Sequence, residues 1–345
     1  MNNKPANMPP ERLLDLKDVN VHFELREGIV KAVNGVSYHV NRGEVLGIVG
    51  ESGSGKSVAV RAIMRLFPKN LHESTGQIRF QPTPGEEVDI SSLTGNSRQI
   101  RQLRGNRIGM IFQEPMTALS PVHSVGTQIT RTILLHRQCS KKEARERAIE
   151  LLGKVQLPRP ELLVDNYPHQ LSGGMRQRAM IALALSCDPD LLIADEPTTA
   201  LDVTTEAQIL DLLRGLQDEL GMSIIFITHN FGVVADIADR VSVMYLGRVL
   251  ESGPVDDIFY NPQHPYTRAL LQSVPRLGQA PVKRLKTIPG MVPDPFSVPK
   301  GCPFHPRCEF AVKGLCDVKD PEMVSFSNEH EARCLRAGKL EEAAQ

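Results

Sequence analysis

Gly50-Glu51-Ser52-Gly53-Ser54-Gly55-Lys56-Ser57 satisfies the pattern G-x-x-x-x-G-K-[ST], and its flanks decide what the pattern means. Upstream, the apolar run 45–49 reads as a buried strand; downstream, 58–67 reads as a helix that begins at Val58 and ends before Pro68. A strand, a glycine-rich turn and a helix in that order form a cradle for phosphate. The glycines let the backbone wrap the anion, Lys56 reaches the β and γ oxygens of a nucleotide, and Ser57 offers its hydroxyl to Mg²⁺.

A second anion site stands far downstream. Leu171-Ser172-Gly173-Gly174-Met175 opens the helix-forming run 175–187, where backbone N–H groups and a positive dipole end face an anion. The chain thus carries two half-sites and one obvious nucleotide. Between and beyond them lie three more strand-like runs, each ending in a polar residue. Run 190–194 ends in Asp195-Glu196-Pro197, so that Asp195 can hold the Mg²⁺ shell and Glu196 is the candidate base for the water attacking the γ-phosphate. Run 223–228 ends in His229, whose imidazole can bond a γ-phosphate oxygen or that water. Run 107–112 ends in Gln113, whose neutral amide can touch Mg²⁺ or the water and report nucleotide state.

In this order the motifs resemble the nucleotide-binding subunit of ABC transporters, and the resemblance covers roughly residues 12–255. It implies an α/β fold: a P-loop NTPase with a RecA-like parallel core sheet, an antiparallel β layer from residues 12–43 with turns at Gly28 and Gly43, and an inserted helical subdomain at about 115–170. There, 125–135 and 142–155 read as helices, and prolines at 158, 160 and 168 break the chain. The resemblance also assigns roles. It implies Mg²⁺ held through Ser57, Gln113 and Asp195, and Ala200-Leu201-Asp202 as a turn that, with Leu171, Ser172, Gly173, Gly174 and Met175, acts in trans on the nucleotide of a second ATPase subunit, identical or different. Phe23 aligns with the aromatic that stacks on adenine, although Val21-His22-Phe23 also fits an ordinary alternating strand. Residues 114–120 line, by analogy, the groove where a permease docks.

Composition agrees. The chain has 345 residues, 40 basic and 40 acidic, and no long basic block, which argues against nucleic acid as a partner. It has neither the 18 or so consecutive apolar residues of a membrane span nor the apolar core of a signal peptide, so a cytosolic location is expected. Arg98, Arg101 and Arg104 recur at helical spacing and read as a solvated face.

After a polar tail at 1–11 and a cassette at 12–255, residues 256–345 form an extension. Its Asn261-Pro262-Gln263-His264-Pro265-Tyr266-Thr267 segment resembles the carboxyl-terminal extension of ATP-binding subunits from dipeptide, oligopeptide and nickel importers. Four of the six cysteines follow at Cys302, Cys308, Cys316 and Cys334. Four thiols so close in a cytosolic chain suit tetrahedral Zn²⁺ or a [4Fe–4S] cluster better than disulfides, with unligated thiols as the third reading. The resemblance implies the cluster. Cys139 and Cys187 read as ordinary thiols.

The expectation is therefore an ATP- and Mg²⁺-dependent ATPase subunit that energises import of dipeptides or oligopeptides. Its partners would be a second cassette, two transmembrane permeases and, through the complex, a soluble peptide-binding protein, at the cytoplasmic face of the inner membrane. The alternatives are import of nickel or another small solute, or a non-transport ABC ATPase.

Overall fold

Runs without polar alternation become strands buried on both faces, as parallel sheets require. Ile108–Ile111, Leu191–Asp195 and Ser223–Thr228 are buried at every residue and lie side by side in that order, all parallel. Ile108 stands opposite Leu191, and Asp195 opposite Ile227. These elements belong to one of two compact units, Met1–Leu14, Val40–Val45 and Arg79–Ile227. The structure is a computed structural model and describes residues 9, 11–68, 70–114, 118–199, 201–273, 287–327 and 329–340.

Within this unit the helices start where side chains can satisfy their first N–H groups. Ser124 Oγ accepts the Thr127 N–H at the head of Val125–His136. Ser140 and Glu143 form a reciprocal capping box at the head of Lys141–Lys154. Arg98–Leu103 buries Ile100 and Leu103 and leaves Arg98 and Arg101 exposed, as the sequence predicts, whereas Arg104, the residue that ends the helix, is half-buried.

The second unit comprises Asp15–His39, Leu46–Ile78 and Thr228–Gln345. Val45–Val49 runs parallel to Arg240–Tyr245, with Leu46 opposite Arg240 and Val49 opposite Val243. Arg248–Pro254 turns back antiparallel, and the short strands Glu331–Ala332 and Val324–Ser325 continue the sheet outward. The carboxyl-terminal extension therefore adds strands to the sheet edge.

Residues 12–43 form two strands of 14 residues each, Arg12–Leu25 and Gly28–Asn41. One boundary differs from expectation. The helix expected at 58–67 is Lys56–Ile63, because Gly55 in the left-handed region opens it and Arg65, at φ 50°, closes it. Of the expected elements, Ala200, residues 115–117 and most of the tail at 1–11 lie outside the described residues. Among the described residues no helix is long and apolar enough to cross a membrane.

Candidate functional site

The phosphate loop is shaped by backbone crowding. Gly50 (φ 152°) and Gly55 (φ 94°) occupy left-handed backbone, and a Cβ would lie 2.1 Å from the Met244 carbonyl oxygen at the first and 2.2 Å from that of Ala32 at the second. Only glycine fits either place. Gly247 N–H also donates to the Ser54 carbonyl at 2.9 Å, which ties the loop to the turn after Arg240–Tyr245. Lys56 is buried and curls over the loop: its Nζ donates to the carbonyls of Gly50 at 2.7 Å and Glu51 at 3.0 Å, and to Ser54 Oγ at 3.4 Å. An ammonium held over a ring of backbone groups is placed to meet a polyanion. Ser52 and Gly53 form the exposed lip, while Ser57 and Val58 are half-buried in the first turn of the helix. Phe23 is half-buried on its strand, and His229 is exposed directly after Ser223–Thr228; both belong to the second unit.

The first unit gathers the remaining motif residues. Asp195 is fully buried at the end of its strand, and Glu196 follows at φ 49°, a left-handed conformation that costs a non-glycine residue about 1–2 kcal/mol. Its N–H donates to the Ile227 carbonyl at 3.0 Å. Its carboxylate Oε2 accepts Gln113 Nε2 at 3.1 Å and Thr199 Oγ1 at 2.9 Å. Gln113 thus meets Glu196 directly, leaving its amide oxygen for a cation. Ser172 caps the helix Gly173–Ala184, accepting the Met175 N–H at 3.3 Å. Asp202 caps Val203–Leu220: Oδ1 accepts the Thr205 N–H at 3.0 Å and Oδ2 its hydroxyl at 2.7 Å, and the backbone bond holds its carboxyl below the usual range. The two caps are neighbours, since a Cβ on Gly174 would lie 3.1 Å from Thr205 Cγ2. Leu171, just before the Ser172 cap, is buried.

The first unit offers the amide oxygen of Gln113 and the carboxylate of Asp195, and the second offers the hydroxyl of Ser57, each an oxygen donor of the kind Mg²⁺ takes. The four-cysteine expectation, in contrast, is corrected. All four thiols are free, and among the described residues no group of three or more His, Cys, Asp or Glu side chains is placed to hold a metal ion. Neither the [4Fe–4S] cluster nor the zinc alternative at Cys302, Cys308, Cys316 and Cys334 stands. Burial dominates there: it pushes the Cys302 thiol up to about 11, Cys308 up to about 12 and Cys334 upward, which favours the protonated form that does not ligate. The cysteines serve the local backbone, with the Cys302 N–H on the Cys316 carbonyl at 2.9 Å and the Arg336 N–H on Cys334 Sγ at 3.3 Å.

Sequence reasoning missed four contributors. Thr199 orients Glu196, and buried Gln177 donates to the Pro197 carbonyl from the helix behind the Ser172 cap. Tyr266 and Arg307 both engage Glu51. The Thr-Thr pair after Pro197 and the conspicuous His-Pro-Tyr-Thr segment were the available signals for Thr199 and Tyr266. For Arg307, which directly precedes Cys308, there was none.

The family described as "ABC transporter" matches residues 33–199, and that described as "Oligopeptide/dipeptide transporter, C-terminal region" matches residues 250–316. A Brucella melitensis protein, provisionally named for peptide import and ATP binding, is 50% identical over 335 residues, 95% of this chain and 98% of its own. The oligopeptide transport ATP-binding protein OppD of Bacillus subtilis is 49% identical over 320 residues, 92% of this chain and 87% of its own. Among solved structures, the dimeric post-hydrolysis state of the ATP-binding cassette MJ0796 with ADP and Pi superimposes with a TM-score of 0.61 at 28% identity, over 70% of this chain and 99% of that one.

Proposed function

Since this chain belongs to the ATP-binding subunits of ABC transporters, in the group related to peptide and oligopeptide importer ATPases, we propose that it hydrolyses ATP to drive peptide import through separate permeases. The ATPase rests on its family; the roles of single residues are our reading. The observation that carries that reading is the junction at Glu196, which follows buried Asp195 on left-handed backbone and whose carboxylate is bonded by Gln113 and Thr199.

Glu196 accepts the proton of the attacking water, and the bond from Gln113 couples that carboxylate to the strand leading into the helical insertion. Lys56 leaves its backbone partners for the β and γ oxygens of ATP, and the amides of residues 50–57 enclose the phosphates. His229 steadies the γ-phosphate, and Phe23 supports the adenine. Ser57, Gln113 and Asp195 would hold the Mg²⁺ that is carried with the nucleotide, and the ion would supply charge neutralisation on the phosphate oxygens.

The opposing cassette, a second copy or a close relative, completes each nucleotide site with its own Leu171, Ser172, Gly173, Gly174, Met175 and Asp202. The dimeric cassette among the similar structures supports this pairing. The match over 250–316 supports peptides as cargo and a division into a cassette at 12–255, with a helical insertion at about 115–170, and an extension at 256–345. The complex then sits at the cytoplasmic face of the membrane, held by two permeases and fed by a soluble peptide-binding protein.

One experiment tests the reading: ATPase activity of the chain purified with its permeases, with and without peptide-loaded receptor. Hydrolysis rises with the loaded receptor. In Glu196→Gln it falls by about three orders of magnitude, while ATP binding persists and a closed cassette pair accumulates. Undiminished hydrolysis in that variant removes Glu196 as the base, and indifference to every peptide tried removes peptide import.

A further inference from the structure

The carboxyl-terminal extension reaches the phosphate loop at a residue that phosphate chemistry does not need. Glu51 is the first variable position of the loop. Its backbone N–H donates to Tyr266 Oη at 2.9 Å. Its carboxylate is gripped bidentately by Arg307, Nη1 to Oε2 at 2.6 Å and Nη2 to Oε1 at 2.9 Å.

Both partners are fixed before they meet the loop. Tyr266 is fully buried, and the Arg307 side chain is 4% exposed against 26% for Glu51. Arg307 Nε donates to the Pro289 carbonyl at 3.1 Å and Nη1 reaches Tyr245 Oη at 3.3 Å. Its guanidinium lies 5.8 Å from the Tyr245 ring centre and 5.9 Å from that of Phe304. Tyr245, Tyr266 and Phe304 pack as a cluster, with centroids 4.7, 5.1 and 5.5 Å apart. A planar fork so restrained gives up little freedom when it binds a carboxylate.

An unpaired carboxylate in a loop that must take up a polyanion repels it, and an untethered loop populates the phosphate-accepting shape only part of the time. The Arg307 contact cancels the charge, and the Tyr266 contact fixes the backbone. The pairing is felt on the Arg307 side as well, since the hydrogen-bonded Glu51 carboxylate raises the guanidinium above its ordinary range.

We propose that Tyr266 and Arg307 are positioning residues for nucleotide: the extension clamps Glu51, keeps residues 50–57 ready for phosphate, and is itself tightened when ATP binds. The last clause follows from linkage, because whatever the tail does for ATP affinity, ATP does for the tail. The inference rests on residues 50–57 being the ATP site.

The test is a titration of the full-length chain with a fluorescent ATP analogue and Mg²⁺, paired with backbone hydrogen exchange over residues 287–340 with and without ATP. Arg307→Gln weakens binding about tenfold and Tyr266→Phe about threefold, and Arg307→Lys recovers part of the loss because it restores charge without the fork. In a Glu51→Gln background, Arg307→Gln costs no further affinity. ATP slows exchange in the tail of the wild type and fails to do so in Glu51→Gln, a readout that stands even if the Arg307 variants do not fold. Equal affinity in all variants, an Arg307→Gln effect that persists without the Glu51 carboxylate, or tail protection unchanged in Glu51→Gln would each overturn the clamp. Failure of the wild type to bind the analogue would instead overturn the ATP site.

Discussion

Glu196 holds the least comfortable backbone among the motif residues, at φ 49°, and the structure supplies what keeps it there. The Ile227 carbonyl takes its N–H, Pro197 follows it buried, and Gln177 donates to the Pro197 carbonyl. The side chain is then aimed by two donors on one oxygen, Gln113 and Thr199. Those donors do different work: Gln113 comes from a neighbouring strand end, whereas Thr199 is three residues away and acts only on orientation. Thr199→Val removes the hydroxyl and keeps the volume, so turnover should fall about three- to tenfold with little change in the KM for ATP. Steady-state phosphate release over a range of ATP concentrations checks it; a rise in KM at constant kcat would assign Thr199 to nucleotide binding instead.

Among the elements, the extension is anchored by a buried polar cluster. Glu251, fully buried on Arg248–Pro254, accepts the Gln263 N–H at 2.6 Å, the His264 N–H at 3.0 Å and His330 Nε2 at 2.9 Å. His264 Nδ1 in turn accepts the Tyr266 N–H at 3.0 Å, which places the tyrosine. Burial lowers the His264 pKa to about 4, partly offset by the nearby Glu251 carboxylate. Its unfolded value is about 6.5, so between those two pH values the unfolded chain takes up a proton that the folded one refuses. Stability therefore falls as pH drops through that window, by about 2 kcal/mol at pH 5 from this group alone. His264→Asn keeps an acceptor for Tyr266, and its melting temperature should drop less between pH 7 and pH 5 than that of the wild type. An equal drop would place the acid sensitivity elsewhere.

The same elements show what a sequence can and cannot disclose. Val45–Val49, Leu191–Asp195 and Ser223–Thr228 were legible because a strand buried on both faces has nothing polar to interrupt it. Helix ends were less so, since they depend on single caps and left-handed residues such as Gly55 and Arg65. The Glu51 contacts span 215 and 256 positions, so no local period carries them. The cysteines misled for a related reason: spacing along the chain says how many thiols lie near one another in sequence, and nothing about whether burial leaves them protonated.

At the scale of the whole molecule, Gly173 points outside the chain. A Cβ added there meets nothing within 4 Å, and its backbone does not require glycine, yet glycine in a helix costs about 1 kcal/mol relative to alanine. Among the described residues no neighbour explains its small size. In the proposed pairing, an opposing cassette with its nucleotide would occupy that space. Gly173→Arg should fold and bind ATP with near-normal affinity, while hydrolysis falls at least about a hundredfold and ATP no longer induces pairing. Light scattering with and without ATP, beside a binding titration, checks this, and retained pairing would take the signature out of the interface. The anchoring at Glu251 has a separate consequence for anyone recombining such chains. A chimera joined after residue 255 would import a foreign tail beneath a carboxylate whose three donors all come from the native one. The graft would strand a buried anion, so the workable seam lies upstream of Arg248, and the strand Arg248–Pro254 travels with the tail as one heritable piece.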